Sequence, residues 1–189
     1  MIHFEEIYRK SPDPWHVRTS WYEQRKRALL TGVLPQSRYG RAMELACGNG
    51  EATRALARRC DALIAVDVSA TAASLCEETV RNDGLANVRV VVACVPADWP
   101  LDGDEAADLI VVAELAYYLS EAELKQLIDR CSASLAPGGE WVMCHFTGDF
   151  PDRTKPTADI HAWVDRTPGL TKVVSHQDEL FQLDVWRKC

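Results

Sequence analysis

No apolar run in this 189-residue chain approaches the ~20 residues that cross a bilayer, so the sequence gives no reason to place it in a membrane. Positive charge is also short. Its 21 Lys and Arg stand against 28 Asp and Glu, a net charge of −7, which argues against a general nucleic-acid binder that would present a basic field to phosphate. The C-x-x-C spacing of a zinc site is missing. The seven cysteines are odd in number and scattered, which argues against a disulfide framework and for reduced thiols packed as small hydrophobes. The chain shows no internal repeat or low-complexity tract, and the basic-then-apolar pattern of a secretion signal does not open it. The expectation is one cytoplasmic domain without a bound metal, its partner a small molecule and its oligomeric state open.

What is present is a hydrophobic fraction of 47%, enough for one domain with a full core. Residues 1–40 differ from the rest and read as an N-terminal helical cap of the same domain. They hold Pro12, Pro14, Trp15, Trp21 and Tyr22, then an amphipathic helix over 20–30. Within that helix Arg25-Lys26-Arg27 reads as a solvated face. Residues 41–189 alternate strands, at 42–45, 63–66, 88–92, 109–112, 140–146, 170–176 and 180–186, with helices at 51–59, 70–82 and 120–135. Several strands are continuous apolar runs, as expected where both faces of a parallel sheet are covered. Ser120 and Glu123 form a capping box, and Pro137-Gly138-Gly139 is expected to stop the helix that follows it. The pattern predicts a doubly wound α/β sheet of Rossmann-like type, mostly parallel, with the last two strands paired antiparallel across a short turn.

Chemistry gathers at Glu44-Leu45-Ala46-Cys47-Gly48-Asn49-Gly50 and at Asp67, the end of the next strand. Glycines let backbone approach a nucleoside-bearing ligand, and a carboxylate at the second strand end can accept hydrogen bonds from ribose hydroxyls. Dinucleotide sites want a third small residue where this chain has Thr53, whereas an acid at Glu44 suits a cationic ligand, directly or by bracing the turn. Asp67 also reads as a plain cap for the helix that begins near Ser69. Ligands of such sheets lie beyond the carboxyl ends of the strands, which brings Cys94 and Val95, then Glu114, Leu115, Tyr117 and Tyr118, then His145 to one cleft. Packing roles compete for the two tyrosines, Glu114 reads equally as a structural hydrogen-bonding group of its loop, and His145 reads equally as a satisfied strand-end histidine. His161 has weaker support, its segment lacking a strand.

These residues, with Asp13-Pro14-Trp15, Trp21-Tyr22-Glu23-Gln24, Val66-Asp67-Val68-Ser69, Tyr117-Tyr118-Leu119-Ser120 and Leu135-Ala136-Pro137-Gly138-Gly139, carry a resemblance. The chain resembles class I S-adenosylmethionine-dependent methyltransferases, and within them the nodulation protein S group. The resemblance implies a seven-stranded sheet with a reversed last strand and cofactor contacts at Glu44, Gly48, Gly50 and Asp67. It extends the S-adenosylmethionine site to Ala46, Cys47, Val68, Glu114 and Leu115, with Trp15 and Tyr22 closing it from the cap. Ala46 stands where glycine is common. Ala93-Cys94 stands where Gly-Asp usually reads adenine, leaving Cys94 and Val95 to hold that ring by backbone and apolar contacts. The named group N-methylates an amino sugar. Methyl transfer to a small amine is therefore expected here, with His145 as base and Glu114, Tyr117 and Tyr118 aligning the acceptor. Tyr117, Tyr118, His145 and His161 form the acceptor site in this reading. O-methylation of a small metabolite, a nicotinamide-dependent oxidoreductase and a non-catalytic cofactor-binding protein are the alternatives.

Overall fold

In the computed structural model, which describes residues 4–101 and 105–189, six helices flank one seven-stranded sheet. The first three residues of the expected cap lie outside the described residues. In chain order the elements are α1 (Phe4–Lys10), α2 (Trp21–Gly32), β1 (Tyr39–Leu45), α3 (Glu51–Ala57), β2 (Cys60–Asp67), α4 (Ala70–Asn82) and β3 (Val88–Val92). Then follow β4 (Ala107–Ala113), a 3-10 turn at Ala116–Tyr118, α5 (Glu121–Ser134), β5 (Leu135–Phe146), α6 (Thr157–Asp165), β6 (Leu170–Gln177) and β7 (Phe181–Lys188). The strand order is β3-β2-β1-β4-β5-β7-β6. Every pairing from β3 to β5 is parallel, and β7 runs antiparallel to both β5 and β6. This is the expected doubly wound sheet with its last strand reversed.

The central strands are apolar along their whole length because alternate residues enter two different cores. Met43, Leu45, Ile110, Val112 and Trp141 face the core beneath α5 and α6. Ala42, Leu109, Val111, Val142 and Cys144 face the core beneath α2 and α3. The α5 helix is framed by the expected capping box, with Ser120 accepting from the Glu123 N–H and the Glu123 carboxylate returning to Ser120. It buries Leu124, Leu127, Ile128 and Cys131. Its end differs from expectation. The chain turns extended at Leu135 and enters β5 there, so Pro137-Gly138-Gly139 lies within the strand. Strand pairing of Leu135 with Ala107 claims that backbone before the proline is reached. Among the described residues, no helix is long and apolar enough to cross a membrane.

Two helices went unforeseen. The first, α1, is too short to carry a readable period and packs on α4. The second, α6, holds the segment of His161, which lies on the buried face of that helix.

Candidate active site

The strand ends of β1, β2 and β4 converge on a cavity of about 600 Å³, roofed by α1, α2 and residues 150–152. At its floor the turn after β1 takes positive φ at Ala46 (63°), Gly48 (56°) and Gly50 (85°). Two of these positions admit no side chain. A Cβ on Gly48 would meet the Tyr8 hydroxyl at 2.6 Å, and one on Gly50 would meet the Cys76 backbone at 2.9 Å. Asp67 closes the turn from β2: its Oδ2 accepts the Gly48 N–H at 2.9 Å and its Oδ1 accepts the Ser69 N–H at 2.9 Å. Burial raises its pKa, against the pull of those N–H bonds. The carboxylate keeps acceptor capacity beyond its backbone N–H bonds, and Asp67, with Val68, lines the cavity.

Glu44 does not reach that wall. The pleat turns its side chain toward α3, where the Thr53 hydroxyl donates to it at 2.6 Å, and burial pushes its carboxyl up to about 8. Of its two expected roles, bracing is the one its position allows. Cys47, Gly48 and Gly50 shape the turn from behind, whereas Ala46 and Leu115 stand on the wall. Cys94 is exposed, its N–H bonded to Asp98 at 3.2 Å, and neither Cys94 nor Val95 lines the cavity. Trp15 and Tyr22 do line it.

At the end of β4, Glu114 adopts a φ of 54°, a conformation that costs a non-glycine residue about 1 kcal/mol or more. Its carboxylate is held by Lys26 Nζ at 2.7 Å, by the Phe146 N–H at 3.1 Å and by the Tyr117 hydroxyl. Lys26 also pairs with Glu23 at 2.9 Å and lies 4.9 Å over the Tyr22 ring. Burial would lower the Lys26 pKa, but the Glu114 and Glu23 carboxylates outweigh it and keep the ammonium charged. The expected solvated face at Arg25-Lys26-Arg27 is thus corrected: Lys26 is buried, Arg25 pairs with Asp178 and Arg27 with Glu51. Burial, then Glu114, raises the Tyr117 pKa far above its usual range, so the phenol remains a donor. Burial lifts Tyr118 to about 12.

His145 corrects a second expectation. It is completely buried behind Tyr117, its Nε2 accepts the Ala116 N–H at 3.1 Å and its Nδ1 faces His161 Nε2 at 3.1 Å. Both ring nitrogens are engaged, and burial, then His161, drives its pKa well below 6.5. A base must reach the proton it takes, and from here His145 reaches neither the cavity nor an acceptor. His161 is equally buried and also stands off the wall.

Several lining residues escaped the sequence reading. Tyr8, Glu23, Lys26, Phe150 and Asp152 all line the cavity. Their one trace in the sequence is the i, i+4 spacing of Tyr22 and Lys26, which by itself gives no sign of a cavity.

A model described as a methyltransferase domain matches residues 42–139, from β1 to the start of β5. The nodulation protein S of Rhizobium tropici is 33% identical over 132 residues, 69% of this chain and 53% of that protein. The chain thus spans about half the length of that relative. Among solved structures, a Pseudomonas syringae protein assigned as a methyltransferase is 36% identical with a TM-score of 0.77, over 89% of this chain and 100% of that one. The N-methyltransferase NodS of Bradyrhizobium japonicum WM9, solved with S-adenosyl-L-homocysteine, superposes with a TM-score of 0.83 over 97% of each chain. At 23% identity that likeness speaks for the fold.

Proposed function

This chain belongs to the methyltransferase-domain family, and on that premise we propose that it methylates the nitrogen of a small amine, with S-adenosylmethionine as donor. The observation that carries the reading is Glu114, held by Lys26 and Tyr117 on the wall of a cavity whose floor is the Asp67-bearing turn. The turn fits the cofactor: Ala46 brings it to the wall, the positive φ of Gly48 and Gly50 lets it bend there, and Asp67 offers lone pairs suited to ribose hydroxyls. Ala46, Val68 and Leu115 give it apolar walls, Trp15 and Tyr22 cover it, and Glu44 braces it through Thr53. When bound, the cofactor supplies an electrophilic methyl group on a sulfonium.

The acceptor end is aromatic and acidic. Tyr117, Tyr118, Phe146 and Phe150 line it with Glu114, and the rings are mutually packed, Tyr117 lying 4.8 Å from Tyr118 and 4.9 Å from Phe150. The ammonium form sheds its proton to solvent as it enters; Glu114 then accepts an N–H of the neutral amine and holds its lone pair in line, and alignment of this kind supplies much of the rate of a displacement. Positive charge grows on that nitrogen during transfer, where a carboxylate and aromatic faces stabilise it. Nitrogen is favoured over oxygen by what the wall holds. An amine can shed its ammonium proton to solvent before transfer, whereas an alcohol keeps its proton until transfer and needs a base much stronger than a salt-bridged carboxylate there. The lining groups are carboxylates, an ammonium and phenols held protonated, and among the described residues no imidazole reaches the wall.

The N-terminal helices α1 and α2 serve as a roof of the same domain. The seven free cysteines, five of them buried, support a reducing, cytoplasmic setting.

A radiolabelled methyl-transfer panel tests the reading with glucosamine, a chitosan oligosaccharide, phenethylamine and spermidine, beside glucose and phenethyl alcohol. Label is expected in amines alone, and Glu114→Gln is expected to lower kcat/KM roughly 100-fold. Label in no amine, or in the alcohols first, overturns it.

A further inference from the structure

Behind the cavity wall three polar side chains form a continuous buried line that the proposed chemistry does not use: His145 at the end of β5, His161 on α6 and Asp184 on β7, each with 0% of its surface exposed. Its direction can be read from one end. The Ala116 N–H can only donate, so His145 Nε2, 3.1 Å away, carries a lone pair. A neutral imidazole then holds its proton on Nδ1 and donates it to His161 Nε2 at 3.1 Å. By the same logic His161 is protonated on Nδ1 and donates to Asp184 Oδ2 at 2.6 Å. Asp184 as carboxylate is acceptor-only and ends the line. Gln182 at 2.7 Å and Lys172 at 3.5 Å share the same oxygen. Burial would raise the Asp184 pKa, but hydrogen bonds led by the one from His161 hold it down to about 2.

Ala116 opens the 3-10 turn that carries Tyr117 and Tyr118, and the first N–H groups of a helical turn have no partner within it. Ala116 is buried, so solvent cannot serve instead. The preceding Glu114 sits in its costly backbone conformation, and the turn must be held from outside to keep it there. Thr154 ties the far side of the turn, its N–H donating to the Tyr117 carbonyl at 2.8 Å. The near side is tied by His145.

We infer that His145, His161 and Asp184 form a positioning relay: Asp184 sets the tautomer of His161, His161 sets that of His145, and His145 holds the Ala116 N–H so that Glu114 and Tyr117 face the acceptor. The opposite tautomer would bring an Nε2–H against the Ala116 N–H and leave that donor unpaired. The inference rests on the acceptor site proposed above. It makes His145 and His161 residues that act through the turn without touching the acceptor.

Two substitutions at one position separate the relay from mere packing. In His145→Gln the amide oxygen reaches the place of Nε2 and keeps an acceptor for Ala116. His145→Asn keeps a polar group toward His161 and loses that acceptor. We expect His145→Gln to retain slow exchange of the Ala116 amide and kcat within about threefold. His145→Asn is expected to speed that exchange and lower kcat roughly 30-fold, an angström of misplacement being enough, with KM for the amines changed less and S-adenosylhomocysteine binding unaltered. Asp184→Asn, which weakens the anchor, is expected to fall between them. The 15N spectrum of the wild type is expected to show His145 and His161 protonated at Nδ1, and this readout needs no turnover. A His145 protonated at Nε2 overturns the relay, as does equal loss of kcat in the Gln and Asn variants in step with Tm. A wild type with the expected spectrum that transfers no methyl group overturns the acceptor site and leaves the tautomer chain standing.

Discussion

Glu44 and Lys26 show how a single side chain's role depends on which face of its element it occupies. Both are charged residues in helical or strand patterns, and both are buried, yet burial acts on them in opposite ways. Lys26 meets two carboxylates and stays charged; Glu44 meets a threonine hydroxyl and burial lifts its carboxyl to about 8. The Glu44 group is therefore protonated when folded and ionised when unfolded between its usual 4.5 and about 8. The folded state binds the extra proton there, so its contribution to stability is full below pH 4.5, falls as pH rises and levels off above 8. Glu44→Gln removes that dependence. Urea unfolding at pH 5 and pH 8 is expected to show the wild type losing on the order of 2–4 kcal/mol more than the variant across that interval. A parallel pH response in both proteins would place the Glu44 proton elsewhere. Lys26 was not legible in the sequence because its partner Glu114 lies 88 residues away, and a basic triplet on a helix gives no sign of that carboxylate.

At the scale of elements, the parallel strands were legible because each is an apolar run buried on both faces, a signal that needs no knowledge of its neighbours. The α5 helix was legible through Ser120 and Glu123, which act locally. Helices whose order comes from distant contacts were not. The seven-residue α1 is too short to be stable alone and is held in place by contacts with the rest of the chain. Glu5 accepts from the Ser69 hydroxyl at 2.7 Å, the Thr71 N–H at 3.1 Å and the Thr71 hydroxyl at 2.8 Å. Those bonds, led by the Thr71 N–H, hold the Glu5 carboxyl down to about 2. They set α1 against the first turn of α4, next to Asp67, and bring Tyr8 over Gly48. Glu5→Ala is expected to free this roof. Amides 7–10 should exchange faster and S-adenosylhomocysteine should dissociate several-fold faster, while α5 and the sheet keep their protection. Unchanged exchange in α1 would mean that its aromatic contacts, Phe4 on Tyr118 and Tyr8 on Trp15, suffice to hold it.

For the whole molecule, the cavity is where parts of the chain distant in sequence meet: the roof from residues 4–26, the turn after β1, the ends of β2 and β4, and residues 150–152. A ligand that spans it binds the folded state and has no counterpart site in the unfolded chain, so binding must raise stability by mass action. S-adenosylhomocysteine at 100 times its dissociation constant contributes about 2.7 kcal/mol, which for a chain of this length raises Tm by roughly 5–10 °C. NADH is expected to leave Tm unchanged, since Thr53 occupies the third small position of a dinucleotide turn and is itself committed to Glu44. Asp67→Ala separates cofactor recognition from general ligand stickiness. It removes the lone pairs offered to ribose together with the clasp on the Gly48 and Ser69 N–H groups. The shift with S-adenosylhomocysteine should therefore collapse even where the variant's own Tm falls only slightly. A shift with NADH and none with S-adenosylhomocysteine would assign the turn to a dinucleotide instead, and Glu114 would then face a substrate that exchanges a hydride rather than a methyl group.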